Sequence, residues 1–253
     1  MMSILISNYE EEVENEYYQE LQTCEEFAIR DSLTNSSVIH HRSWLNTYYD
    51  NSYCTRYNIT DQQNALAEQE RNNLVVPQYW DSFEQYWGNV YEGLLASTSD
   101  RLTHVQDSLK FIGQRDNLNS LEFADMVVSF IQDMPYSFIM LEDCSNAGDT
   151  PCEPDQQFGI LSPIEFLYTL KGDCDTRTTI LYKFLKHFGY DVKVVVSSEY
   201  AHAMLAINLP VSGDYITHRN QRYYFWETTN IGWQPGMLSG DMKNTTYWKI
   251  ALN

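Results

Sequence analysis

Residues 172–196 read Gly-Asp-Cys-Asp-Thr-Arg-Thr-Thr-Ile-Leu-Tyr-Lys-Phe-Leu-Lys-His-Phe-Gly-Tyr-Asp-Val-Lys-Val-Val-Val, and the hydrophobic period changes within them. Ile180, Leu181, Phe184, Leu185 and Phe188 recur at helical spacing, with Asp173 as the N-cap and Gly189 closing the helix. From Val192 the period becomes two. Val192, Val194 and Val196 alternate, followed by Ala203, Leu205 and Ile207, by Tyr224 and Trp226, and by Trp248 and Ile250.

Upstream of this switch the pattern is helical. Trp80, Phe83, Trp87, Val90, Tyr91 and Leu94 form one aromatic-rich stripe, of the kind that more often packs into a core than holds a cofactor. Leu102, Val105, Leu109 and Ile112 mark a second helix. A third runs from caps at Asn119 and Ser120 through Leu121, Ala124, Val127, Val128, Ile131 and Met134 to Pro135. Ser162-Pro163-Ile164-Glu165 is a capping box with proline at the first helical position. That short helix is expected to end near Lys171-Gly172, with Gly172 in the left-handed position. Helices that precede strands in this way predict an α+β class with a mainly antiparallel sheet. Residues 1–75 form an acidic, mostly helical extension in this reading, and residues 76–253 the main domain. The extension carries eight glutamates before Arg30, and Tyr9 to Glu20 fits a solvated helix or an acidic tail.

The chain has 253 residues, 43% of them apolar and 20% charged, which excludes disorder over its whole length. Thirty-five acidic against sixteen basic residues give a net charge of −19, a field that repels nucleic acid and anionic lipid. The densest apolar cluster, Val127-Val128-Ser129-Phe130-Ile131, is far too short to span a membrane. No basic segment followed by an apolar one opens the sequence. There is no glycine-rich phosphate loop or dinucleotide fingerprint, and no cofactor is expected.

Five cysteines, Cys24, Cys54, Cys144, Cys152 and Cys174, leave one thiol over if the other four pair. Cys144 and Cys152 flank a turn-rich segment, Ser145 to Pro151, that a disulfide between them would close. Such a bond would favour an oxidising compartment, periplasmic or secreted. The spacing of this pair does not suit structural zinc, and His40-His41 lies in a polar region without nearby carboxylate or cysteine spacing. No metal site is expected from either.

Cys174 sits at the first turn of its helix, where unpaired N–H groups and the positive dipole end stabilise a thiolate and can donate to an oxyanion. On position alone it reads equally as a nucleophile or as a small buried hydrophobe. His202 opens an apolar strand, and Glu227 ends an aromatic run in which an unpaired carboxylate would be costly. In order, the three fit a thiol–imidazole–acid relay.

Their surroundings are more specific. Gly172-Asp173-Cys174-Asp175 opens a helix that ends at Gly189-Tyr190; Ala201-His202-Ala203, Trp226-Glu227-Thr228-Thr229 and Gly232-Trp233 follow. With Phe130 to Tyr136 and Ser162 to Leu167 upstream, this pattern resembles the bacterial transglutaminase-like cysteine peptidase superfamily, over about residues 120–236. The resemblance implies a papain-like arrangement with Cys174 as nucleophile and His202 as base. Glu227 stands at a position usually held by aspartate in an Asp-x-Thr context. It implies a thioester at Cys174, with a protein or peptide substrate hydrolysed at an amide bond as the first expectation. Transfer to an amine and a non-catalytic binding module on the same fold are the alternatives. Gln132, in the segment before the nucleophile, is a candidate to complete an oxyanion hole. Asp173 and Asp175 bracket the cysteine where acidic residues bind calcium in some relatives, although capping is the role expected for Asp173.

A geometric expectation follows. Residues 202–209 and 222–229 should pair as antiparallel strands joined around Gly213-Asp214-Tyr215, with His202 opposite Glu227 and the nucleophile helix on the same face. Cys174 sulfur should then lie within about 4 Å of an imidazole nitrogen.

Overall fold

The computed structural model describes residues 37–46, 48–77, 79–96 and 101–253. The helix or tail expected at Tyr9 to Glu20 lies outside them. The fold is α+β: among the described residues a two-stranded hairpin comes first, then the helices, and the five-stranded sheet comes last.

The described part of residues 1–75 is not mostly helical. Strands β1 (Ser37–Asn46) and β2 (Asn51–Thr60) form an antiparallel hairpin, and only then does helix α1 (Asp61–Asn72) begin. Thr60 and Gln63 start α1 with a reciprocal capping box. Tyr53, Thr55, Tyr57 and Ile59 alternate inward along β2, so a period of two is present with a polar residue in the series. This segment shares the main apolar core. Trp44 packs on Phe130 with ring centroids 4.9 Å apart, and the Tyr57 hydroxyl donates to the Leu167 carbonyl at 3.2 Å. Arg71 of α1 makes a buried, two-pronged ion pair with Glu165, at 3.0 Å from Nε to Oε2 and 2.8 Å from Nη2 to Oε1.

Three helices follow as the sequence predicts: α2 (Phe83–Ala96), α3 (Thr103–Arg115) and α4 (Ser120–Gln132), the last capped by Asn119 and Glu122. A short parallel pairing joins β3 (Phe138–Ile139) to β4 (Cys152–Glu153). Here Cys144 and Cys152 form the expected disulfide, with Cα atoms 6.0 Å apart. Helix α5 (Pro163–Thr169) has the expected Ser162–Glu165 capping box. It ends on Leu170 at φ 58°, however, and not on Gly172. The reason for glycine at 172 is space: a Cβ there would come within 2.9 Å of the Phe166 and Thr176 side chains.

Helix α6 (Cys174–His187) is capped by Asp173, whose carboxylate accepts from the Thr176 N–H at 3.2 Å, and Gly189 follows it at φ 85°. It lies on a five-stranded antiparallel sheet in the order β7-β8-β6-β5-β9, formed by β5 (Val192–Ser197), β6 (His202–Ile207), β7 (Tyr215–His218), β8 (Gln221–Trp226) and β9 (Lys249–Leu252). Val192, Val194, Val196, Ala203, Leu205 and Ile207 join the helical core. On the other face Val195, Met204, Ala206, Tyr223 and Phe225 are covered by Leu238 and Trp248. Both faces of the central strands are therefore buried.

Strands β6 and β8 pair antiparallel as expected, but in a register shifted by two residues, with Leu205 opposite Trp226 and Ile207 opposite Tyr224. The expected turn at Gly213-Asp214-Tyr215 is instead the entrance to edge strand β7. The reversal comes later, at Arg219 (φ 50°) and Asn220 (φ 63°), a two-residue turn with both residues left-handed. A shift of two keeps every side chain on its face, whereas a shift of one would have inverted them all.

Arg177, one turn into α6, is fully buried. Its Nε donates to the Gly172 carbonyl at 2.9 Å, Nη1 to Ile131 at 3.0 Å and Nη2 to Met134 at 2.6 Å, and Tyr136 and Phe166 flank it. It thus ties the end of α4 to the residue before Asp173. Arg177→Met, which keeps much of the volume but leaves three carbonyls without this donor, is expected to lower stability by about 3 kcal/mol or more. Urea denaturation checks this, and a loss below about 1 kcal/mol would contradict it.

Candidate active site

Three chain ends converge at one corner of the sheet. Cys174 is the first residue of α6, His202 is the first of β6, and Glu227 follows the last residue of β8. Thr178 holds these ends together from one turn into the helix. Its hydroxyl lies 3.4 Å from the Ala203 carbonyl and 3.1 Å from the Thr228 hydroxyl, beside the histidine and the glutamate in sequence.

The imidazole and the carboxylate are directly bonded, His202 Nε2 to Glu227 Oε2 at 2.8 Å. The other carboxylate oxygen accepts from the Thr228 N–H at 2.8 Å, the Thr229 N–H at 3.0 Å and the Thr229 hydroxyl at 2.8 Å. Glu227 is therefore fixed on both sides, and the extra methylene relative to aspartate does not prevent the contact. Because Nε2 faces the carboxylate, Nδ1 is the nitrogen left for another partner. Trp248 meets the ring edge-on, with centroids 6.1 Å apart.

The thiol's own hydrogen bond goes to a neighbouring carboxylate. Cys174 is 7% exposed and is the free cysteine among the described residues, Cys54 also being disulfide-bonded. Its Sγ donates to Asp175 Oδ2 at 3.5 Å, and no thiol–imidazole hydrogen bond forms among the described residues. Asp175 also accepts from the Tyr91 hydroxyl, which reaches down from α2.

Burial, and then the negative charges of Asp175 and Asp173, push the Cys174 thiol well above its ordinary value. The positive end of the helix dipole acts in the opposite sense and favours the thiolate. Burial and the neighbouring Asp175 also raise Asp173, to about 7. Burial raises Asp175 against the opposing bonds from Tyr91 and Cys174. For His202, burial acts downward, but the hydrogen bond and charge of Glu227 win and its pKa rises. Burial acts upward on Glu227, and the imidazole and the Thr229 donors bring it below the usual carboxylate range.

Gln132 does not serve as the oxyanion donor expected of it. Its amide nitrogen donates to the Glu227 carbonyl at 2.7 Å and to the Trp233 carbonyl at 3.1 Å, so both hydrogens are committed to backbone. It clamps the segment after β8. The N–H groups of the first turn of α6 remain as donors near the sulfur. His40 in β1 donates its Nε2–H to the Tyr168 backbone carbonyl at 2.9 Å, and His41 is exposed. No group of three potential metal ligands occurs among the described residues. Sequence reasoning missed Tyr91 and Thr178 as site residues, and it singled out Asp175 as a possible calcium ligand rather than as the partner of the thiol. The aromatic stripe that marks Tyr91 as core carries no signal of where its hydroxyl points.

Beside the imidazole lies a cavity of about 160 Å³ lined by Phe83, Trp87, Asp175, Val196, Ala201 and His202. Of the site residues, its lining includes His202 and Asp175. No protein-family model, curated protein or solved structure matches the chain.

The ion pair has a defined pH signature. A raised His202 contributes stability that is complete below its ordinary 6.5 and disappears as pH rises through its folded value. A lowered Glu227 contributes above its ordinary 4.5 and loses that contribution as pH falls through its folded value. Glu227→Gln should therefore cost most stability between pH 4.5 and 6.5. It should also lower the His202 titration, followed by proton NMR, because the hydrogen bond to an ionised carboxylate and that charge no longer oppose burial. An unchanged titration would contradict the pairing.

Proposed function

We propose that this protein is a thiol-dependent acyl-transfer enzyme of the transglutaminase-like type, acting on a peptide or amide carbonyl. One observation carries the reading: an imidazole bonded to a fixed carboxylate through Nε2 stands at the corner where a helix begins with a free thiol. A burial-only role for Cys174 gives no reason for that carboxylate–imidazole pair.

In the proposed reaction the thiol proton passes to His202 Nδ1 as Sγ attacks the substrate carbonyl. Glu227 stays ionised and holds the imidazolium in place. The oxyanion faces the N-terminal N–H groups of α6. His202 then gives the proton to the leaving amine, and a Cys174 thioester remains. Water resolves it in the hydrolytic case, which is the first expectation. An amine resolves it in the transferase case. The disulfides at Cys144–Cys152 and at Cys54 support an oxidising, extracytoplasmic setting.

The second reading, a non-catalytic binding module, is favoured by the burial of the thiol and by its bond to Asp175. Turnover separates the two. With a library of peptide amides, in the presence and absence of a primary amine, the wild type should release amine or exchange it. Cys174→Ala should abolish turnover, and His202→Ala should lower kcat/KM by about 10³-fold or more. Binding of a library member without turnover, unaffected by either substitution, would favour the module.

A further inference from the structure

The thiol has one hydrogen and two competing acceptors within the site. His202 Nδ1 is the productive one in the proposed reaction, yet the hydrogen bond observed goes to Asp175 Oδ2. Asp175 is not free to leave. It is the residue after Cys174 in the first turn of α6, and its other oxygen accepts from Tyr91. Tyr91 is fully buried, and its ring stacks on Trp87 with centroids 5.5 Å apart and planes 27° apart. The α2 face thus holds the carboxylate against the sulfur.

We propose that Asp175, held by Tyr91, is a positioning residue that keeps the Cys174 thiol protonated at rest, with its hydrogen committed to the Asp175 carboxylate. Activation then requires the S–H bond to rotate from Asp175 to the imidazole, and the proton moves from Sγ to Nδ1 with no other reactant. The charges around the sulfur agree with this. Asp173 at the helix cap and Asp175 beside it disfavour a thiolate, while His202 from β6, with Glu227 behind it, supplies the opposing positive charge. Arg177, bonded to the Gly172, Ile131 and Met134 carbonyls, adds a buried positive charge that acts on Cys174 in the same sense as the imidazole. A carboxylate that a thiolate must approach slows its formation; an amide of the same shape does not. The inference rests on the acyl-transfer reading for its meaning, but not for its test.

The test is the pH dependence of Cys174 alkylation by iodoacetamide in the full, folded chain, read by peptide mass spectrometry. Asp175→Asn should react about tenfold faster than wild type at pH 7, with its profile moved about one unit toward lower pH. Asp175→Glu, which retains the charge, should stay within about threefold of wild type. A role in folding alone would not move the profile in this direction. An Asp175→Asn profile that superimposes on wild type, or lies at higher pH, overturns the proposal. His202→Ala separates the two readings. If it slows alkylation while Asp175→Asn changes nothing, the restraint by Asp175 is wrong and the nucleophile assignment stands; if neither has an effect, both are wrong. Should Asp175→Asn fail to fold, the S–H stretching band of the wild type, isolated by difference against Cys174→Ala, decides the matter. A band displaced to lower frequency from that of an unbonded thiol supports the bond to Asp175, and an undisplaced band overturns it.

Discussion

A guanidinium without water must find acceptors, and Arg177 finds three backbone carbonyls on two different segments. That requirement organises the corner of the molecule where the chemistry would occur. The turn after α4 cannot move away from α6, because Ile131 and Met134 are bonded to it. Gly172 cannot leave either, and it immediately precedes the cap that starts the helix. The flanking Tyr136 and Phe166 rings fill the remaining space with π faces that favour a cation. Position and charge are set by one side chain, and the thiol inherits its location from them.

The site itself is a balance between opposed terms. A helix N-terminus favours negative charge on the sulfur, and the imidazolium would favour it further. Burial and two adjacent carboxylates work against it and push the thiol's pKa up. The histidine is under the opposite pull: the same carboxylates and Glu227 hold its proton on. In the proposed chemistry the thiol proton passes to Nδ1 of a neutral imidazole whose Nε2–H faces Glu227, and the raised pKa of His202 favours the imidazolium that results. The geometry makes that transfer a local event, a rotation at Cys174, since the helix, Glu227 and Thr178 are each fixed by bonds elsewhere.

Much of this was legible in the residues. Asp173 as a cap, the α+β order, the Cys144–Cys152 bond and the strand pairing of His202's neighbours all follow from local rules that act over a few residues. The register was legible only in parity. Side-chain alternation determines which face a residue takes, but not whether the strands meet two residues further along; that was decided by the turn at Arg219-Asn220 and the edge strand before it. The hairpin before α1 was hidden because its inward set mixes Trp44 and Tyr53 with Asn46 and Thr55, whose polar groups are satisfied by partners far away in sequence. Gln132 shows the same limit from the other side. Its position near the nucleophile is visible in the sequence, but the two carbonyls that occupy its amide lie about a hundred residues on.

The central claim is that Cys174 forms a covalent acyl intermediate, and trapping that intermediate tests it most directly. Native protein would be mixed with an activated ester of an acyl amino acid, quenched in acid within one turnover and analysed by peptide mass spectrometry. The account predicts one acyl group, removed by hydroxylamine, on the peptide that contains Cys174, and none on that peptide when His202 is replaced by alanine. An unmodified Cys174 in the native protein, or acylation that persists equally without the imidazole, would contradict it.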